Sequence, residues 1–268
     1  MPYKKSIDKA QHAPLLISGI FRSGTSITTN ILSKAGFDVG PTKHLLQATA
    51  INTDGFFENY FFMDFSRYLF QLTNSYGDNP PDATLVANIK LEDVNDDEFR
   101  KFTLLEIHDD RVKNINKMRV LRKVSVHYMN AYISACFCKR PLIKNPHFSV
   151  LEPFFKNAFP NSKRLVVFRN PCDWKRSAQI VSAKSNEALY DSYYNYYLQS
   201  EDPGVIFFNY DQLLNDPKGS IQKLLKALEV ENGDVEALSK LVKIPDRIKA
   251  EAVSVSSYSE LLNRAINS

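Results

Sequence analysis

Residues 15–35 read LLISGIFRSGTSITTNILSKA, and this stretch decides the fold. Residues 15–20, LLISGI, form a short apolar run of the kind a buried strand shows. From residue 24 onward Ile27, Ile31 and Leu32 recur at helical spacing, which predicts a helix over 24–35. Gly36 tolerates the left-handed backbone found just past a helix end and marks the stop. Between strand and helix, Gly19 and Gly24 are spaced as in the phosphate loop G-x-x-x-x-G-K-[ST], Ser26 holds the last position, and Thr25 stands where the lysine would be. A phosphate loop requires this order of strand, glycine turn and helix, so the motif stands in its proper setting.

The same alternation continues outward. PLIKN (141–145) reads as a strand, SVLEPFFKNAF (149–159) as a helix, RLVVFR (164–169) as a buried strand with a helix after Pro171, and VIFFNY (205–210) as a fourth strand. Asp216 then caps a helix whose first residue is Pro217. Strands alternating with helices imply an α/β fold of the P-loop type: a doubly wound parallel sheet covered on both faces. Ligands in such sheets sit at the carboxyl ends of the strands, where the loops after Ile20, Asn145 and Arg169 converge. Residues 37–140 are read as a helical or irregular insertion capping the sheet, with one amphipathic helix in the aromatic run 55–70 and another over 115–138. Residues 233–268 are read as a helical C-terminal segment, and 1–268 as a single domain.

A chain of 268 residues, 44% hydrophobic and 24% charged, can bury a full core. Its net charge of +4 suits an anionic ligand but is too weak for nucleic acid. No apolar run approaches the roughly 20 residues of a membrane span, and the first residues lack the apolar centre of a signal peptide, so the expectation is a soluble, cytoplasmic protein. Cys136, Cys138 and Cys172 form neither a disulfide framework nor a zinc-spaced set and are read as buried free thiols. No histidines stand at metal-ligand spacing, and no metal is expected.

The chemistry follows from the missing lysine. In a kinase that lysine reaches the outer phosphates and the following Ser/Thr holds Mg²⁺. Here the strand RLVVF ends in Arg169 where an aspartate would organise the metal, and a cation there attracts an anion instead. Arg22, inside the loop, carries the positive charge that lysine would carry. Backbone N–H groups from Ser23 to Ser26, including Gly24, with the hydroxyls of Ser23, Thr25 and Ser26, can cradle anionic oxygens at the helix N-terminus. A compact diphosphate-like group bound without metal is expected, and a 5′-phosphosulfate fits because its transferring group carries a single negative charge. Arg169 at a strand end and Ser177 in the next helix can converge on a second phosphate. If Arg169 were structural, it would pair with a carboxylate such as Asp173.

GIFRSGTS, RNPCDWKRS and NYDQLLNDPKGSIQKLLKALEV together resemble the sulfotransferase family that uses 3′-phosphoadenosine 5′-phosphosulfate, with the likeness spread from residue 15 to about 230. The resemblance implies that the first motif binds the 5′-phosphosulfate and that Arg169 with Ser177, eight positions on, binds the 3′-phosphate. It also implies that Lys144, ending its strand, stabilises charge on the bridging oxygen as the sulfuryl group leaves. An acceptor hydroxyl, or an amine, needs a base. Glu58 in GFFEN matches a stretch of bacterial-type members. His44 stands 22 residues after Arg22, near where the tyrosyl-protein branch has its glutamate. His147 is displaced by one from the histidine of the cytosolic phenol branch. We take the three in that order.

Some positions depart from the family. Ile27 replaces a tryptophan that stacks on adenine in the cytosolic branch, and a C-terminal Arg-Lys-Gly stretch is missing, leaving Arg176, Arg247 or Lys249 as substitutes. These departures point toward carbohydrate-like or bacterial-type members. The acceptor class stays open among glycan, lipid, phenol, peptide and small secondary metabolite, as does oligomeric state. The aromatic stretches 56–70 and 190–199 can wall an acceptor pocket or pack the core, and core packing is preferred. A P-loop kinase that lost its lysine and a non-catalytic nucleotide-binding module are the alternatives.

Overall fold

The computed structural model describes residues 13–89 apart from 50, 51, 54 and 78, then 126–180, 185–243 and 256–267. Four short strands, β1 (Leu15–Ser18), β2 (Leu142–Lys144), β3 (Arg164–Phe168) and β4 (Val205–Asn209), form an all-parallel sheet in the order β2-β1-β3-β4. Ile17 pairs with Lys144 on one side and Leu165 on the other, so β1 is central and its carboxyl end lies between those of β2 and β3.

The strands are buried on both faces, and their side chains divide by parity. Leu16, Ile143, Val166, Phe168 and Phe207 enter one core; Leu15, Ile17, Leu142, Leu165, Val167, Ile206 and Phe208 enter the other. This two-sided burial explains why the strands read as apolar runs without alternation. The second core is completed by α1 (Thr25–Lys34) and by helices nearer the C-terminus. The first takes Phe61, Phe62, Phe65, Tyr68 and Leu69 from α2 (Tyr60–Leu72), which α3 (Ala83–Ala87) follows, and Met129, Tyr132 and Ile133 from α4 (Val126–Cys136). The segment read as an insertion therefore contributes to one of the two cores. Residues 115–125 of its second expected helix lie outside the described residues, as do Arg247 and Lys249.

Several boundaries shift for local reasons. β1 stops at Ser18 because Gly19, at φ 135°, turns the chain. A side chain there would meet the Val167 carbonyl at 2.1 Å. The helix expected over 149–159 is α5 (Glu152–Ala158), preceded by a 3₁₀ turn at Pro146–Phe148 that Asn145 caps through the His147 N–H. α6 (Pro171–Ala178) is capped by Asn170, and α7 (Glu187–Leu198) by Asn186. After β4 come α8 (Tyr210–Asn215), α9 (Pro217–Ala227), capped by Asp216 as expected, and α10 (Val235–Ser239). α11 (Ser256–Arg264) leads to Asn267, whose amide exchanges two hydrogen bonds with the backbone of Asn209 at 2.7 and 2.8 Å. The cysteines are free, but they are not buried: Cys138 is exposed, and Cys136 and Cys172 are half-buried.

Candidate active site

α1, like α5 behind Leu151, begins without the side-chain cap that most described helices have. Asn59, Asp82, Asn170, Asn186, Asn209, Asp216 and Asp234 each cap a helix with a side-chain oxygen. α1 starts on Gly24, at φ 95°, with no side-chain cap and no acidic residue in its first turn. Its leading N–H groups are left for an external anion. A β-carbon on Gly24 would fall 2.2 Å from the Tyr210 ring, so only glycine lets that ring close over the loop.

The loop is held from below by aromatic side chains of the two later helices. The Tyr194 hydroxyl accepts from the Ile20 N–H at 3.2 Å and donates to the Val167 carbonyl at 3.1 Å; the Trp174 indole donates to the Phe21 carbonyl at 2.8 Å. On α7, Tyr190 donates to the Arg169 carbonyl, and Tyr197 to Glu152 Oε2, which leaves its oxygen to accept from Ser18. Tyr190, Tyr193, Tyr194 and Tyr197 of the run YDSYYNYY are thus buried as expected, yet the hydroxyls of Tyr190, Tyr194 and Tyr197 also fix the strand ends that carry the site. Glu152 is itself raised to about 7 by burial, against the opposing charge of Arg164 at 2.8 Å.

Arg22 takes a left-handed backbone, φ 68°, which for a non-glycine residue costs on the order of 1–3 kcal/mol and is kept only where the surroundings impose it. Its Nε donates to Ser177 Oγ at 3.1 Å, so the two sequence motifs meet directly. Burial, and then the like charge of Arg169, lowers the affinity of the Arg22 guanidinium for its proton. Arg169 sits 5.3 Å over the Tyr210 ring. Its carboxylate neighbour is Asp211, at 3.8 Å, and not Asp173, which pairs with Arg176. At that distance no hydrogen bond forms, and Arg169 Nε is buried without one; Ser23 Oγ likewise makes none of good geometry. Two facing guanidiniums, an orphaned buried N–H and an uncapped helix start fit a doubly charged, phosphate-bearing ligand.

At the other side of the loop, the Lys144 ammonium, 2% exposed, donates to Glu58 Oε1 at 2.5 Å, to the Phe56 carbonyl at 3.1 Å and to Ser26 Oγ at 3.4 Å. Glu58 arrives there because residues 58–59 pair with 45–46 on one side and with Lys144 on the other. Glu58 Oε2 makes no hydrogen bond to a described residue. Arg22, Gly24, Thr25, Ser26, Glu58, Lys144, His147, Arg169 and Ser177 all line one cavity of about 560 Å³. Tyr210, which the sequence reading missed, lines it too.

The histidines separate. His44 does not line the cavity; its Nδ1 bonds the Tyr132 hydroxyl at 2.9 Å, and the same hydroxyl meets the amide of Asn59. His147 is in the wall, edge-on to Phe70, with Nδ1 3.4 Å from the Tyr193 hydroxyl. Burial holds it down at about 4, so it is neutral at pH 7. Its folded value lies below the ordinary 6.5, so its contribution to stability is complete above pH 6.5 and is lost as pH falls toward 4. The loss is expected to reach at most about 3 kcal/mol. Thermal unfolding of wild type against His147→Gln over pH 4–7.5 checks this: the gap should narrow on acidification, and parallel curves would contradict it.

Compared with known proteins, the model of the sulfotransferase family matches residues 14–234. The chain belongs to the sulfotransferase family. Among solved structures, the chain is similar to sulfotransferase STF1 from Mycobacterium tuberculosis H37Rv, at 12% identity and TM-score 0.42, over 87% of this chain and 72% of that one. It is also similar to STF9 from Mycobacterium avium, at 12% identity and TM-score 0.41, over 85% and 67%. No curated protein matches it. As a sulfotransferase it is an enzyme of sulfuryl transfer, and the α/β fold expected from the phosphate loop is the one observed. No described helix is long and apolar enough to cross a membrane.

Proposed function

We propose that this sulfotransferase takes its sulfuryl group from 3′-phosphoadenosine 5′-phosphosulfate and passes it to an acceptor hydroxyl. The observation that carries the reading is the direct bond from Arg22 to Ser177, which joins the loop at β1 to the cationic end of β3 in one cavity. The residues from Arg22 to Ser26 would hold the 5′ end, and Arg169 with Ser177 the 3′-phosphate. The donor supplies the group transferred; the chain supplies position, charge and a proton acceptor.

Glu58 serves as the base through Oε2, while Lys144 anchors Oε1 and orients the carboxylate. The acceptor oxygen bonds to sulfur as the sulfur–oxygen bond to the 5′-phosphate breaks, and the hydroxyl proton passes to Glu58. Lys144 and Arg22 stand where negative charge grows on the departing oxygen. Lys144 ends β2 on rigid backbone, which keeps that charge in place without reorganisation. His44 has no role in contact with reactants in this reading, and neutral His147 forms wall.

Release of 3′,5′-adenosine bisphosphate from the donor, followed in buffer containing EDTA with a panel of hydroxyl acceptors, tests the reading. Acceptor-dependent release is expected. Turnover of Mg²⁺-ATP without turnover of the phosphosulfate would transfer the case to the kinase alternative.

A further inference from the structure

The acceptor end of the cavity has a chemistry of its own. Besides the Lys144–Glu58 pair, the cavity lining includes Leu46, whose N–H bonds the Glu58 carbonyl, Phe56, whose carbonyl bonds Lys144, and Met63, Pro146, His147 and Tyr193. Polar groups exist here, but most of their hydrogen-bonding atoms are already used within the protein. The Asn145 amide donates to the Phe62 carbonyl and to Ser66, and its oxygen accepts from the His147 N–H. Asn52 donates to the Gly55 carbonyl at 2.7 Å and to Ser26. The Tyr193 hydroxyl donates to the Gly77 carbonyl at 2.9 Å. Because that proton is spent, the contact with His147 runs from the imidazole Nδ1–H to the tyrosine oxygen, and the imidazole stays uncharged.

Charge is equally scarce. Arg22 and Arg169 lie at the donor end. Arg67, the further cation whose field reaches His147, is tied to Asp64 at 3.3 Å. Gly77 is itself packed against the imidazole, 2.5 Å from a β-carbon's position to Cε1, so the wall is closed there.

A sugar ring buries many hydroxyls, and each one left unpaired weakens binding. Among the described residues this wall offers such a ring only scattered acceptors, His147 Nε2, Asn52 Oδ1 and Glu58 Oε2, whereas Leu46, Phe56, Met63 and Pro146 match an apolar body. We propose that the acceptor is an uncharged alcohol or phenol with an apolar body, lodged against Met63, Phe56, Leu46 and Pro146 with its hydroxyl at Glu58. The inference rests on the sulfotransferase site described above, and it departs from the carbohydrate direction that the family departures suggested.

Titration of the full chain, saturated with 3′,5′-adenosine bisphosphate, with 2-naphthol and separately with methyl β-glucoside tests it. A saturable single site for 2-naphthol is expected, with no binding of the glucoside in the low-millimolar range. Met63→Asp should weaken 2-naphthol at least tenfold and Met63→Leu should not, while both variants bind the bisphosphate as wild type does, which shows them folded. Binding of the glucoside in preference, binding of neither probe, or an unmoved naphthol affinity in Met63→Asp would overturn the assignment. Failure of the bisphosphate itself to bind would instead overturn the donor reading beneath it.

Discussion

Replacing Glu58 by glutamine is expected to lower kcat by about 10²–10⁴, the range lost with a general base, while affinity for 3′,5′-adenosine bisphosphate stays within about twofold. Glutamine keeps the shape of the side chain and an oxygen for the Lys144 ammonium, but it cannot take a proton. The alternative role for Glu58 is to neutralise a lysine that is 2% exposed. Removing the partner of a buried charge typically costs 3–5 kcal/mol in stability, so that role would show as a fall in unfolding temperature with kcat little changed. The two roles therefore separate on a plot of kcat against stability. His44→Ala provides the comparison, since His44 lies behind Tyr132 and outside the cavity. It should lose far less activity than Glu58→Gln.

Lys144→Met is expected to cost about 10²–10³ in kcat, as deleting one fixed donor to a developing oxyanion does. The methionine retains the stem and removes the ammonium, together with its bonds to Glu58, Phe56 and Ser26. A group that acts on growing charge lowers kcat and kcat/KM together, whereas one that only holds the ground state raises KM alone. Steady-state kinetics with varied donor distinguishes these outcomes. A raised KM with unchanged kcat would make Lys144 a binding residue.

Much of this was legible before any coordinates. The strands announced themselves because each is buried on both faces, and an apolar run such as LLIS or RLVVF has no other good use in a chain this short of membrane-length segments. Glycine at 19 and 24 reported a backbone shape, and a shape is what cradles an anion. Arg169 and Ser177 could be paired because they sit within one strand–helix unit, where the local geometry is set by eight residues.

What stayed hidden depends on contacts between distant parts. Glu58 and Lys144 are 86 residues apart in sequence and meet because residues 58–59 add an edge beside β2, which no local pattern encodes. Tyr210 follows an ordinary strand end, and only the packing of α8 brings its ring over Gly24 and under Arg169. The tyrosines of α7 look like core at helical spacing, and they are; their hydroxyls become informative once the helix is laid under Ile20, Val167 and Arg169. The residue that Arg169 would choose as a partner was likewise beyond local reading, since Asp211 lies on the far side of β4 in sequence and Asp173 had its own arginine.

The donor site is the centre of the account, and thermal unfolding with 3′,5′-adenosine bisphosphate in metal-free buffer tests it most directly. A ligand confined to the folded state adds RT ln(1 + [L]/Kd), about 2.7 kcal/mol at a hundredfold excess over Kd. The wild type should gain that stability without Mg²⁺, and Arg169→Ala, having lost the guanidinium above Tyr210, should gain little at the same concentration. Equal stabilisation of both proteins, or a response to Mg²⁺-ATP and none to the bisphosphate, would contradict the assignment of this cavity to the phosphosulfate donor.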